Sequence, residues 1–551
     1  MRRVLALLSA VAWLLPPAVL PLPSRSGPDG PPRPFGVEPA PGPQPPHTRG
    51  SLVAAQNHAL LYGPFPRGGL ARGVSDGLML SEHAEVRALT ARRIRTAGAS
   101  VVRIPVNWRD VVQAAPPPGF QADDPASAAY DFTRIDAAVE SAASAGLQSL
   151  LVVSHAPDFA QAPHRWPYAY PGSWAPSPAA LQAFAAALAR RYDGSFPDPR
   201  RPGLALPRVW LLQAWNEPNL PRYLEPQWVV QRGRWSAFSP RLYRQLLNGF
   251  YAGVKSVAPS DTVVAAGVAP LGEPEGVGAM APVTFVRRML CLGRAPCAQK
   301  PRFDALAFHP LSVWNPNAPA ASALDVSIAD IAKITGLLRT AERRRTVAPA
   351  GIKPVWVTEL NWESAPQSVH GVPPALQAAW LSRALHRLWV AGISLVDWQF
   401  LVDPYGGVLL SNPTGSTAEF ARPAGLYSAG PGGDLSGARP KPFLRGFALP
   451  FDPLRVDRGR VRVWALLAGP GEAVRLQRWS VVGVAHRAMR RGGYARRRSA
   501  AYAWRTVAWL RADGYGVLNA LVGLKGDAQL RVVSGASVSG AVSVGRRGGE
   551  V

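Results

Sequence analysis

Apolar positions along the chain fall into two kinds of run that take turns from about residue 70. Short β-branched segments, apolar on both faces, alternate with longer stretches whose apolar residues recur at helical spacing. "EVRALTARRIRTAGAS" predicts a helix that stops near a glycine, and "VVRIPVNW" predicts the strand after it. The same couple recurs as "IDAAVESAASAGL" with "QSLLVVSHAP", and "SPAALQAFAAALARRYDG" with "RVWLLQAWNEP". It continues as "RLYRQLLNGFYAGVKSVAP" with "DTVVAAGVAP", and "TFVRRMLCLG" with "FDALAFHPL". "SIADIAKITGLLRTAERRR" leads to "KPVWVTELNW", and "PPALQAAWLSRALHRLWVAGI" to "SLVDWQFLVDP". With "LARGVSDG" as the first strand and "KPFLRGFALPF" as a short last helix, the count reaches eight.

Strands apolar on both faces and separated by helices imply a parallel sheet covered on both sides. Eight units predict an α/β fold, a (β/α)8 TIM barrel, whose site lies at the C-terminal ends of the strands. A doubly wound open sheet is the alternative, but no Gly-rich phosphate loop opens the first unit. After about residue 455 the period changes to two. "GRVRVWALLAG", "EAVRLQRWS", "AWRTVAWLRADGYGVLNALVGL", "AQLRVVSG" and "ASVSGAVSV" predict a small β-sandwich, with a turn at Asp513-Gly514. The expected layout is therefore an export signal or anchor over 1–23, a Pro/Gly-rich linker over 24–50, a barrel over 51–454 and a β-sandwich over 455–551.

Composition adds to this picture. With 551 residues and 47% apolar content the chain has ample core for a large domain and a smaller one. The net charge of +26 is carried mainly by arginine. Two readings stand: the codon bias of a GC-rich genome, or long-range attraction to an anionic polysaccharide or envelope. Nucleic acid is not an expected partner, because the arginines are scattered and no recognition motif is present. The segment "HRAMRRGGYARRRSAAYAWR" reads as an exposed basic loop, either simply solvated or in contact with an acidic polymer through the arginines of 486–500.

The N-terminus, two arginines and then an apolar stretch broken by Pro16 and Pro17, reads as an export signal and makes a poor membrane span. No clean small-x-small cleavage site follows, so an uncleaved anchor is the one membrane attachment to consider. The expected location is secreted or in the cell envelope. The two cysteines, Cys291 and Cys297, then suggest a local disulfide, with a pair of buried free thiols as the other reading. Two cysteines alone do not make a zinc site.

Polar residues close the strands. Arg103 lies near the end of strand two, His155 ends strand three, and Asn216 and Glu217 follow strand four. His309 follows strand six, Glu359 closes strand seven and Trp398 lies on strand eight. An ionised carboxylate is costly to desolvate, so an Asn-Glu at the lip of a core calls for a reason. Core packing explains any one of these residues, but not the set.

Asn-Glu-Pro after strand four and a second glutamate after strand seven resemble the retaining (β/α)8 glycoside hydrolases of clan A. "WNEPNL" and "VTELNW" are most similar to glycoside hydrolase family 39, with family 5 close behind, over roughly residues 60 to 450. The resemblance implies a double displacement with Glu217 as acid/base and Glu359 as nucleophile, acting on an oligo- or polysaccharide, with no metal and no cofactor. It further implies that Asn216 binds the sugar 2-hydroxyl, that His155 and His309 orient hydroxyls or carboxylates, and that Trp398 stacks beneath the sugar. Arg103 is expected to hold Glu359 charged.

Two departures stand out. Leu311 occupies a position where many relatives carry an aromatic, with Trp314 nearby, and Glu363 is a rival carboxylate in the loop of Glu359. "HRWPYAYPGSW" and "NLPRYLEPQW" bring aromatic residues to the strand-three and strand-four loops, either to stack on sugars or to anchor the loops. The competing class is a non-catalytic carbohydrate-binding or envelope scaffold protein on such a barrel.

Overall fold

The structure is a computed structural model. It describes residues 65, 68–293, 297–311, 315–366, 368, 371–403, 423–430, 435–486 and 498–545, without the side chains of 482–486 and 498–500. The N-terminal segment, Trp314 and the loop arginines up to Arg497 lie outside the described residues.

Eight parallel strands close into a barrel: β1 (Ala71–Ser75), β2 (Val101–Asn107), β3 (Gln148–Ser154), β4 (Leu211–Ala214), β5 (Thr262–Val268), β6 (Ala305–Phe308), β7 (Val355–Leu360) and β8 (Ile393–Gln399). Each is followed by its helix: α1 (Ala84–Thr96), α2 (Thr133–Ser144), α3 (Pro178–Arg191), α4 (Ser239–Val257), α5 (Pro282–Met289), α6 (Ala332–Arg343), α7 (Pro374–Val390) and α8 (Leu444–Ala448). β1 pairs with both β2 and β8, which closes the ring. The Asp76 carboxylate pins that seam by accepting from the Leu401 and Val402 amides at 2.8 and 3.2 Å. Local sequence sets the helix ends. Proline opens α3, α5 and α7, where its missing N–H costs no intrahelical bond. Gly98 and Gly146, at φ of 92° and 69°, end α1 and α2 in a conformation that a side chain disfavours.

Period two along the strands sorts side chains into two cores. Val101, Leu150, Leu211, Val264, Trp356 and Leu395 point inward and fill the floor of the barrel. Their neighbours, among them Val102, Leu151, Leu212, Val263, Val357 and Val396, pack outward against the helices. The next inward positions, two residues on, are Arg103, Gln213, Thr358 and Asp397, all buried. The apolar floor thus gives way to a polar layer towards the mouth.

A three-stranded and a five-stranded sheet follow: β9 (Phe451–Arg455), β10 (Arg460–Leu466), β11 (Ala473–His486), β12 (Arg498–Arg511), β13 (Val517–Gly523), β14 (Ala528–Ser534), β15 (Ser537–Val538) and β16 (Val542–Val544). Val461, Val463, Val474, Leu476, Leu530 and Val532 form the core between them. Barrel and sheets belong to one compact unit. At their junction Asp452 accepts from Arg383 at 2.7 and 2.9 Å and lies 2.7 Å from His386 Nδ1, while Trp464 stacks on the His386 ring.

Two local expectations change. The segment from Arg498 onward is strand rather than loop, in register with β11 as far as His486↔Arg498. A hairpin not foreseen from the sequence, Trp228–Gln231 with Arg234–Ala237, rises from the loop after β4. Among the described residues no helix is long and apolar enough to cross a membrane.

Candidate active site

The backbone at the barrel mouth departs from regular strand geometry where the candidate residues sit. Between β7 and β8, Val396 pairs with Val357 but Trp398 pairs with Leu360, so two steps along β8 meet three along β7. Such a bulge turns the strand. Thr358 keeps the inward face of Trp356, and Glu359, which strict alternation sends outward, joins the same pocket. A second irregularity lies between β5 and β6 at Ala266–Val268. There Ala266 and Gly267 have φ of 66° and 86°, and the Gly267 carbonyl accepts from the Glu217 amide at 3.0 Å. A Cβ on Gly267 would lie 2.7 Å from Gln213 Nε2 and 2.9 Å from His309 Nε2, so only glycine lets both side chains approach. Trp215 and Glu217 themselves have φ of 73° and 38°. Backbone in this sparsely populated region persists only where its surroundings hold it. Gln213 does so at β4, donating to the Trp215 and Ala266 carbonyls at 3.1 and 2.9 Å.

Five of the expected residues come together: Arg103, Asn216, Glu217, His309 and Glu359. Arg103 donates from Nη2 to Asn216 Oδ1 at 2.7 Å and lies 2.9 Å from Glu359 Oε1. His309 Nδ1 lies 2.9 Å from Glu217 Oε1 and 3.8 Å from Glu359 Oε2, and its Nε2 lies 3.0 Å from Thr358 Oγ1. One donor atom from each of Glu217, His309 and Glu359 falls within 4.8 Å of the other two. The two carboxylates are therefore only a few ångströms apart, bridged on one side by an imidazole and neutralised on the other by a guanidinium. The three donors are also a set that holds metal ions, but the Arg103 guanidinium already occupies a Glu359 oxygen and repels a further cation.

Other expected residues are placed elsewhere. Trp398 is not brought to this group. It alternates with inward Asp397 and faces the helices, fully buried, with its ring 6.0 Å from Trp362 and 5.4 Å from Phe443 and its indole N–H on the Ala424 carbonyl. A ring so enclosed has no face to offer a sugar. His155 ends β3 at φ 55°, with Nδ1 2.8 Å from Ser154 Oγ and its ring 5.2 Å from Tyr223. Burial, with Arg222 and Arg109 adding to it, lowers its pKa to about 4, so the ring is neutral at neutral pH. Glu363 accepts from Ser368 within its own loop. Cys291 and Cys297 form a disulfide beyond α5, remote in sequence from the strand ends. In the loop after β3, Phe159, Trp166, Tyr168 and Tyr170 are exposed. That loop is tied to the next by a bridge between Trp174 and Glu225.

Some residues of this centre escape sequence reasoning. Asn219, the second asparagine of "WNEPNL", is wholly buried. It donates to the Ala269 and Met280 carbonyls and accepts from the Ala269 amide, stapling the β4 and β5 loops together. Asp397 is a third acid on an inward strand position, the one signal that "SLVDWQF" offered. It has no exposure, and neither carboxyl oxygen has a protein partner among the described residues. It packs against β1, where a Cβ on Gly73 would lie 2.4 Å from its Oδ2. Burial pushes its carboxyl well above the usual carboxylate range; Arg103 opposes that shift and Glu359 adds to it.

Below pH 3.8, the ordinary aspartate value, the folded and unfolded chains both carry the Asp397 proton, and above it the unfolded chain loses that proton first. Wild-type stability therefore declines through this group as pH rises, whereas Asp397→Asn carries no such penalty. The stability of Asp397→Asn relative to wild type should grow between pH 4 and pH 7 in urea unfolding. A difference that shrinks over that interval would show the carboxyl to be ionised in the folded protein.

A surface recess lined by Gln182, Asn248 and Arg302 lies among the outer helices and shares no residue with this centre.

No known family profile matches the chain, and no curated protein matches it. Among solved structures, it is similar to a family 39 glycoside hydrolase from Bacteroides cellulosilyticus WH2, with a TM-score of 0.46 and 19% identity over 83% of this chain and 81% of that one. The family 39 enzyme from Xanthomonas axonopodis pv. citri has a TM-score of 0.43 and 15% identity, covering 84% and 93%. A family 39 beta-xylosidase from Caulobacter crescentus has a TM-score of 0.43 and 16% identity, covering 76% and 84%.

Proposed function

We propose that the protein is a retaining glycoside hydrolase acting on an oligo- or polysaccharide outside the cytoplasm, with Glu359 as nucleophile and Glu217 as acid/base. The observation that carries this reading is the approach of the two carboxylates to within 4.8 Å. Retaining enzymes hold theirs about 5–5.5 Å apart, whereas inverting ones leave about 6.5–9.5 Å for a water molecule. The unequal surroundings of the pair support the division of labour. The Arg103 guanidinium lies 2.9 Å from Glu359 Oε1, a fixed cation beside the oxygen pair that attacks carbon. Glu217 has the His309 imidazole beside it at 2.9 Å, a partner that donates or accepts according to its tautomer.

In the first half-reaction the Glu359 carboxylate attacks the anomeric carbon while Glu217 gives its proton to the departing glycosidic oxygen. The glycosyl ester that forms is then opened by water. Glu217 takes the water's proton, the hydroxyl joins the anomeric carbon and Glu359 leaves as carboxylate. The Glu217–His309–Thr358 chain can run in either direction. Nδ1–H donates to an ionised Glu217 while Nε2 accepts from Thr358, and the other tautomer serves a protonated Glu217. Asn216, held by Arg103 through its oxygen, keeps its amide nitrogen for a sugar hydroxyl.

A panel of aryl glycosides followed by NMR tests this. A hydrolysed member should release product with the anomeric configuration of the substrate before mutarotation. First-formed product of the opposite configuration would overturn the double displacement. Sugar binding without turnover of any member would instead favour a non-catalytic carbohydrate-binding protein.

A further inference from the structure

The five-stranded sheet turns one face towards the three-stranded sheet and the other to solvent. Solvent faces of such sheets are ordinarily polar. Here the outward positions of β11 and β12 carry Trp479 and Val481 opposite Trp504 and Tyr502, with Trp509 further along. Trp479, Tyr502 and Trp509 are 39%, 52% and 72% exposed. The Trp479 and Tyr502 rings are within 11° of parallel at 6.1 Å, and the Trp479 and Trp504 rings are 5.2 Å apart. From Tyr502 to Trp509, opposite Val481 and Arg475, the strip extends about 20 Å at the usual rise of a strand. An apolar surface this concentrated on a water-facing sheet marks a place where something binds.

Charge narrows what binds. β11, β12 and β14 contain no Asp or Glu, and by register Arg475, Arg511 and Arg531 share the outward face of Trp509 and Trp504. Arg531 lies over the Trp504 ring at 4.2 Å and donates to Gln477 Oε1 at 2.8 Å, and Arg475 lies over the Trp509 ring at 5.9 Å. The partner must therefore offer flat apolar faces and negative charge together. A second copy of this chain does not, because its net charge of +26 repels an identical face.

We propose that this aromatic and arginine-lined face is a binding surface for an acidic polysaccharide, separate from the barrel mouth. The C–H faces of sugar rings lie on the aromatic rings, and uronate carboxylates meet the arginines. The choice of a sugar polymer over a single-stranded nucleic acid, which shares stacking and charge, rests on the glycosidase reading of the barrel.

Affinity electrophoresis of the full chain through gels containing polygalacturonate tests the proposal, with a neutral cellulose ether as control. Wild type should be retarded in the polygalacturonate gel and released as salt rises. Trp509→Ala and Trp479→Ala should each weaken retention by about tenfold. Arg531→Gln should weaken it at low salt and flatten the salt dependence. Thermal unfolding of each variant shows that the fold is intact. Equal retardation of wild type and the folded variants overturns the proposal. So does equal retention by the neutral gel, or tighter wild-type binding to phosphatidylglycerol vesicles or to oligothymidylate. The barrel reading fails separately: loss of retention in Trp509→Ala supports the surface whether or not any aryl glycoside is cleaved.

Discussion

Glu359→Gln is expected to lower kcat on an aryl glycoside by about 10^4–10^6-fold, the range found when an enzymic nucleophile or its base is removed. Gln has the size of Glu and can still accept from Arg103 through its carbonyl oxygen, so the pocket keeps its shape. What goes is the negative charge and with it the attack on the anomeric carbon. The dissociation constant of an unreactive sugar should change little by comparison, because the contacts that hold the ring remain. Titration calorimetry with the variant, beside steady-state kinetics, separates the two effects. Near wild-type turnover would place the nucleophile elsewhere, with Glu363 the next carboxylate to replace.

Glu217→Ala has a different signature. With a poor leaving group the loss of general acid catalysis should cost about 10^2–10^4-fold, and with a dinitrophenyl leaving group, which departs unprotonated, much less. Hydrolysis of the glycosyl ester then lacks its base and becomes the slow step. Added azide needs no base, so it should restore the rate and yield a glycosyl azide of the substrate's own configuration. A glycosyl azide of inverted configuration would reverse the roles, since it arises when azide fills the cavity left by a missing nucleophile.

Strand ends were readable because their signal is local. "VWVTELNW" and "LLQAWNEPNL" set charged groups against apolar runs, and no core has use for an unpaired carboxylate there. Trp398 shows where such reading stops. A tryptophan near a strand end faces the mouth or the helices according to the phase of alternation, and a slip of one residue exchanges the two. The register of β8 against β1, with Val74 opposite Trp398 and Gly73 opposite Asp397, turns the acid inward and the indole outward. Asp397 is hidden from such reading for the same reason. The hairpin after β4 escaped because Gly233 lies in a segment with little apolar alternation.

By itself the sequence determined the alternation of strands and helices, the change to period two after the barrel, and the presence of two carboxylates at strand ends. These follow from side-chain spacing and from the cost of burying charge, which are properties of short segments. The tertiary structure alone decided which of those residues meet. The bulge in β7 swings Glu359 into the pocket, Gly267 makes room for His309, and Asn219 pulls two loops together across 50 and 61 residues of chain. Distances of this kind depend on how eight strands close on one another, and closure is a property of the whole barrel that no window of sequence contains.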